Sequence, residues 1–224
     1  MKKNYSLVFL VLLTFFVISF LSNIIGPLIP EIIEDFHLSL TLVALLPFSF
    51  FIAYGVMSIP SGILVERYGE KLSMLLAFVV SFFGALLFAI FPGYLMAITS
   101  LFLIGTGMAM LQVVINPLLR VAGGEENLAF YSIMGQLVFG LASFISPLVY
   151  SYFATNPSHG AKDSFLDKMF VFLVPENLSW ITLYWIFAVL SLIMVIVISF
   201  FRFPKVTLKE EQHVVVKEFK SLCN

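Results

Sequence analysis

Six continuous apolar stretches, near residues 5–30, 41–65, 72–92, 94–119, 127–153 and 178–201, govern what this chain can become. Each has the roughly 20 apolar residues that a helix needs to cross a hydrocarbon layer about 30 Å thick. No Asp, Glu, Lys, Arg or His stands at a mid-span position, as expected where a charge in lipid costs about 3 kcal/mol or more. Lipid offers the backbone no hydrogen-bond partner, so only helices and closed barrels can span it. The apolar runs do not alternate with polar residues, which argues against a barrel. Composition agrees: 61% of residues are hydrophobic and 11% charged, with a mean hydropathy of +1.06, whereas soluble domains average about half apolar and a quarter charged. The expectation is an all-α membrane protein. Residues 1–203 form a bundle of six spans, and residues 204–224 form a polar tail or the start of a linker.

Charge sets the orientation. With the N-terminus in the cytoplasm, the inner loops and tails hold Lys2, Lys3, Arg67, Lys71, Arg120, Arg202, Lys205, Lys209, Lys217 and Lys220, and the outer loops hold only Lys162 and Lys168. That excess of inner Lys and Arg places both termini inside. Lys2-Lys3 before an apolar run also describes a secretory signal. Here the run continues past Phe20 to Pro30 without an Ala-x-Ala cleavage site and five more spans follow, so a retained first span is expected. The lone Cys223 leaves no disulfide framework.

Connectors at residues 66–71 and 120–126 are short. The outer connector from Ala154 to Asn177 is the longest, and its stretch from Phe165 to Val174 has the partly amphipathic pattern of a surface helix.

The first connector carries the most specific pattern, Gly62-x-Leu64-x-Glu66-Arg67-x-Gly69-x-Lys71. Gly62 would let helices approach, Gly69 would allow a tight turn, Glu66 could cap or pair, and Arg67 and Lys71 would hold the cytoplasmic face. The plainer reading is a solvated turn that obeys the charge rule. The pattern resembles the signature loop between helices 2 and 3 of major facilitator transporters, with Glu66 where those proteins usually have Asp. That resemblance implies a gate, and it implies that Glu66 pairs with Arg120 at the end of helix 4 to close the cytoplasmic side.

Helix 4 contains Gly105-x-Gly107, suited to close packing, followed by Gln112 and Asn116, one turn apart and so on one face. Paired amides donate and accept hydrogen bonds together, which suits a neutral polyhydroxyl solute. The same amides could instead bond neighbouring spans, a gain of about 0.6 kcal/mol each. Gln136 on helix 5 and, more weakly, Asn23 and Ser22 on helix 1 are further polar groups on apolar spans. Pro47, Pro60 and Pro147 are expected to kink their helices.

Gln112-x-x-x-Asn116-Pro117-Leu118-Leu119 with Gly123-Gly124, and Asn23-x-x-Gly26-Pro27-Leu28, resemble the fucose, galactose and glucose symporter family within the major facilitators. The likeness extends loosely over all six helices and implies half of a twelve-helix sugar carrier, with Gln112, Asn116, Gln136 and Asn23 contacting the solute. Proton-coupled members of that family have an acid where this chain has Gly26 and a Glu where it has Gln112. Neither Gly26 nor Gln112 titrates, which leaves facilitation, another ion, or coupling through a second half open.

His37, His159 and His213 are scattered without a metal-binding spacing, and no phosphate loop or buried pair of carboxylates appears. Catalysis, a metal and a cofactor are therefore not expected, nor is nucleic acid at a net charge of -1. The expected partners are a small solute, the lipid bilayer of a bacterial inner membrane, and a C-terminal six-helix half or a second chain. Other solutes, drug export and a truncated, non-transporting protein are the alternatives.

Overall fold

The computed structural model describes residues 4–23, 25–155, 179–201 and 203. Helices α1 (Tyr5–Asn23) and α2 (Ile25–Phe36) make the first long run, followed by α3 (Leu40–Tyr68), α4 (Glu70–Ile90), α5 (Tyr94–Gly123), α6 (Leu128–Thr155) and α7 (Thr182–Phe200). Short 3-10 turns at Glu125–Asn127 and Ser179–Ile181 precede the last two. Among the described residues six helical runs are long and apolar enough to cross a membrane, and no strand is present. The amphipathic stretch expected at 165–174 and the tail at 204–224 lie outside the described residues.

Helices run past the apolar stretches that mark them. The first run reaches Phe36, not residue 30, because Pro30 is accommodated within α2 and the coil ends only at His37, whose φ of 49° is left-handed. α3 and α5 likewise extend to Gly69 and Gly124, with φ of 84° and 82°, a region open to glycine at little cost. Hydropathy marks the lipid-buried length, whereas the backbone conformation at the caps sets the ends.

Helix α5 forms the centre. It packs along α3 on one side and α4 on the other, while α4 packs on α7 and α1 packs on both α6 and α5. Of its most apolar window 67% is buried, against 28% for α3 and 11% for α6. Two glycines explain the close fit. A Cβ on Gly105 would strike the carbonyl oxygen of Phe50 in α3, and one on Gly107 would strike Ser81 Oγ and come within 2.6 Å of the Ala77 carbonyl oxygen in α4. The reading of this pair as packing glycines holds, with each glycine serving a different neighbour.

Hydroxyls tie the helices where lipid supplies no competing water. Ser19 Oγ of α1 donates to the Phe139 carbonyl of α6 at 2.6 Å, and Ser146 Oγ of α6 donates to the Phe20 carbonyl at 2.9 Å. Between α3 and α5, Ser49 Oγ donates to Ile98 O and Tyr94 Oη to Leu42 O, both at 2.8 Å. Edge-on contacts of Phe88 with Tyr184 and of Phe20 with Phe187 join α4 and α1 to α7, a geometry favoured by the ring quadrupoles.

Candidate functional site

Pro117 lies inside α5. Its missing N–H leaves the Val113 carbonyl without a helical partner and permits a kink there, beside the two amides of that helix. Gln112 is half-buried and Asn116 exposed, while Gln136 is exposed on α6. Among the described residues none of these three side chains has a hydrogen-bond partner. Helix-to-helix bonding among the described residues therefore does not account for them. An amide left unpaired in hydrocarbon costs roughly 4–8 kcal/mol, so a polar setting is favoured for such groups.

Asn23 differs. Its Nδ2 donates to the Ser19 carbonyl at 2.8 Å and reaches Ser19 Oγ at 3.2 Å, and Ser19 itself bonds α6. The donor end of Asn23 is thus engaged in the α1–α6 seam.

At the other end of the bundle, Gly69 closes α3 and opens α4. Its N–H donates to the Val65 carbonyl at 2.8 Å, and its own carbonyl accepts from Ser73 Oγ at 2.9 Å. The tight turn expected of Gly69 is present. Gly62 does not behave as expected: a Cβ placed there has nothing within 4 Å, so no helix among the described residues approaches through it. Glu66 and Arg67 are exposed, and the Arg67 guanidinium lies 5.4 Å from the centre of the Tyr68 ring.

Lys71 and Arg120, the other two residues of the expected gate, each have a partner at a helix end or turn. Lys71 Nζ donates to the carbonyls of Ser199 and Phe201, each at 2.8 Å, capping the C-terminus of α7, where a cation meets the negative end of the helix dipole. Arg120 makes no ion pair with Glu66: its Nε lies 3.2 Å from Glu125 Oε1, in the turn that follows α5. The Glu66–Arg120 pair is therefore absent from this conformation.

Three polar pairs were not foreseen. Besides Arg120–Glu125, Tyr150 Oη of α6 donates to Glu31 Oε1 of α2 at 2.8 Å, and Trp180 Nε1 donates to Asp35 Oδ2. Only Arg120–Glu125 left a trace in sequence, as opposite charges flanking Gly123-Gly124. The other two join positions more than a hundred residues apart.

The chain matches the family profile described as Major Facilitator Superfamily over residues 11–223. It is 31% identical over 151 residues to a glucose/galactose transporter of Brucella abortus, an alignment covering 66% of this chain and 37% of that protein. It is 26% identical over 231 residues to the L-fucose-proton symporter of Escherichia coli, covering 97% of this chain and 51% of that protein. The crystal structure of the transporter FucP in the outward conformation superposes with a TM-score of 0.70 at 24% identity, over 89% of this chain and 50% of that one. The proton:xylose symporter XylE gives a TM-score of 0.70 at 13% identity, over 91% of this chain and 46% of the other. The chain thus spans about half the length, or less, of the relatives it matches.

Proposed function

Because the chain belongs to the major facilitator superfamily, we propose that it is one six-helix half of a membrane carrier that moves a small neutral solute, foremost a sugar, by alternating access. The observation that carries this reading is the set of three amides, Gln112, Asn116 and Gln136, on spans α5 and α6 without a partner among the described residues. Uncharged groups that donate and accept together match the hydroxyls of a sugar, and the relatives named as glucose/galactose and fucose carriers support that choice. Asn23 stands at the edge of this set.

Carriers of this architecture place the solute between two halves that rock about a site near the mid-plane. The exposed apolar faces of α3 (Phe48, Phe51, Ile59) and α6 (Ile133, Phe144, Leu148) offer room for both lipid and a second half. In this reading both termini face the cytoplasm of a bacterial inner membrane, an orientation that the excess of inner Lys and Arg supports. The connector bearing Gly62, Glu66, Arg67, Gly69 and Lys71, with Arg120, belongs to the cytoplasmic gate. Neither Gly26 nor Gln112 can take up a proton, so facilitation, another coupling ion and coupling through the second half all fit this reading.

Vesicle uptake of radiolabelled fucose, galactose, glucose and N-acetylglucosamine tests the reading, using the chain alone and the chain extended by a second six-helix half. Saturable uptake that appears only with the extension is the expected result. Uptake of none of the four by either form overturns the sugar assignment and directs attention to another solute or to a non-transporting protein.

A further inference from the structure

We propose that Glu125 is a positioning residue of the gate: it holds the Arg120 guanidinium at the α5–α6 turn, and its release lets Arg120 pair with Glu66 of α3. The inference rests on the gate reading of the α3–α4 connector and supplies what governs it.

The register of the two helices puts the alternative partner level with Arg120. α3 and α5 run parallel, because Leu42 meets Tyr94, Ser49 meets Ile98, and Phe50 and Ala53 meet Gly105. Continued along both helices at 1.5 Å per residue, that register brings the Glu66 turn level with the turn at 116–120. Val65 is buried there and Glu66 beside it is exposed, which places the Glu66 carboxylate at the rim of the α3–α5 contact. Among the described residues no ion pair engages it.

Arg120 is held elsewhere by a built turn. Gly124, at φ 82°, donates its N–H to the Arg120 carbonyl at 3.0 Å and ends α5. The chain then enters the Glu125–Asn127 turn. Asn127 fixes that turn, its N–H donating to Gly124 O at 3.2 Å and its Nδ2 to Gly123 O at 3.3 Å. Glu125 thereby meets Arg120 Nε at 3.2 Å, in a pair whose side chains are 40% and 79% exposed. Such exposure makes the bond weak enough to exchange. Glu125 meets the guanidinium on one side and Glu66 stands level with it along the α3–α5 contact, so exchange of one carboxylate for the other decides whether α3 is tied to α5 at this end.

A double-mutant cycle on the thermal unfolding of the 224-residue chain in detergent tests this without any solute. With Glu125 present, Glu66→Gln should leave Tm unchanged. In a Glu125→Gln background Arg120 moves to Glu66, and the same Glu66→Gln change should lower Tm by about 1–3 °C. Glu125→Asp, which retains a carboxylate, should behave as the unmodified chain does. Equal effects of Glu66→Gln in the two backgrounds overturn the proposal whatever the solute proves to be. If the extended protein transports sugar, Glu125→Gln should also lower kcat and KM together, because a fastened cytoplasmic rim favours the outward-facing state. A change in KM alone would count against it.

Discussion

Gln112 lies within α5 and Asn127 in the turn that follows it, and the surroundings of these two amides assign them different work. Asn127 donates to Gly123 O, whereas Gln112 has no partner among the described residues. Gln112→Ala should weaken sugar binding about fivefold, the worth of one net hydrogen bond of about 1 kcal/mol, with little effect on unfolding. Asn127→Ala should reverse that pattern, lowering Tm and leaving affinity alone; binding calorimetry and a thermal melt on each variant decide. Lys71 belongs at this scale too. Lys71→Met removes the cap on Ser199 and Phe201 and should cost about 1 kcal/mol in denaturant unfolding, with Lys71→Arg retaining most of it. The residue types at the site were readable in sequence, because an amide on an apolar span stands out. Their engagements were not. Asn23 turns back onto Ser19 and Arg120 turns to Glu125, choices set by rotation about a helix axis and by the path of a turn.

At the scale of the helix, small residues matter only where another backbone arrives. Gly107→Leu should destabilise the bundle by about 1–3 kcal/mol through collision with Ser81 and Ala77 of α4, and Gly62→Ala, with open space around it, should be neutral or slightly stabilising. Thermal unfolding of the two variants side by side separates a packing glycine from a solvent-side one. The six spans themselves were legible, since lipid forces every long apolar stretch into a helix that satisfies its own backbone. Helix ends were less so, because they depend on caps such as Gly69 and Gly124 and on a left-handed His37, which a hydropathy window does not see. The packing role of Gly105 and Gly107 was legible as a small-residue pair. That they face α3 and α4 separately follows from their spacing of two, which on a helix points them about 200° apart.

Across the whole molecule, burial is uneven, deepest at α5 and shallowest at α6, and no pattern within a single span reveals that order. It arises from which helices flank which. α5 lies between α3 and α4, which touch each other far less than either touches it. The two earlier spans leave the ribosome first and can find each other only loosely in the bilayer. Consolidation of the bundle must wait until the Gly105–Gly107 turn arrives between them, so the fourth span to be synthesised acts as a keystone, and a nascent chain halted before it should present α3 and α4 to the quality-control proteases of the membrane.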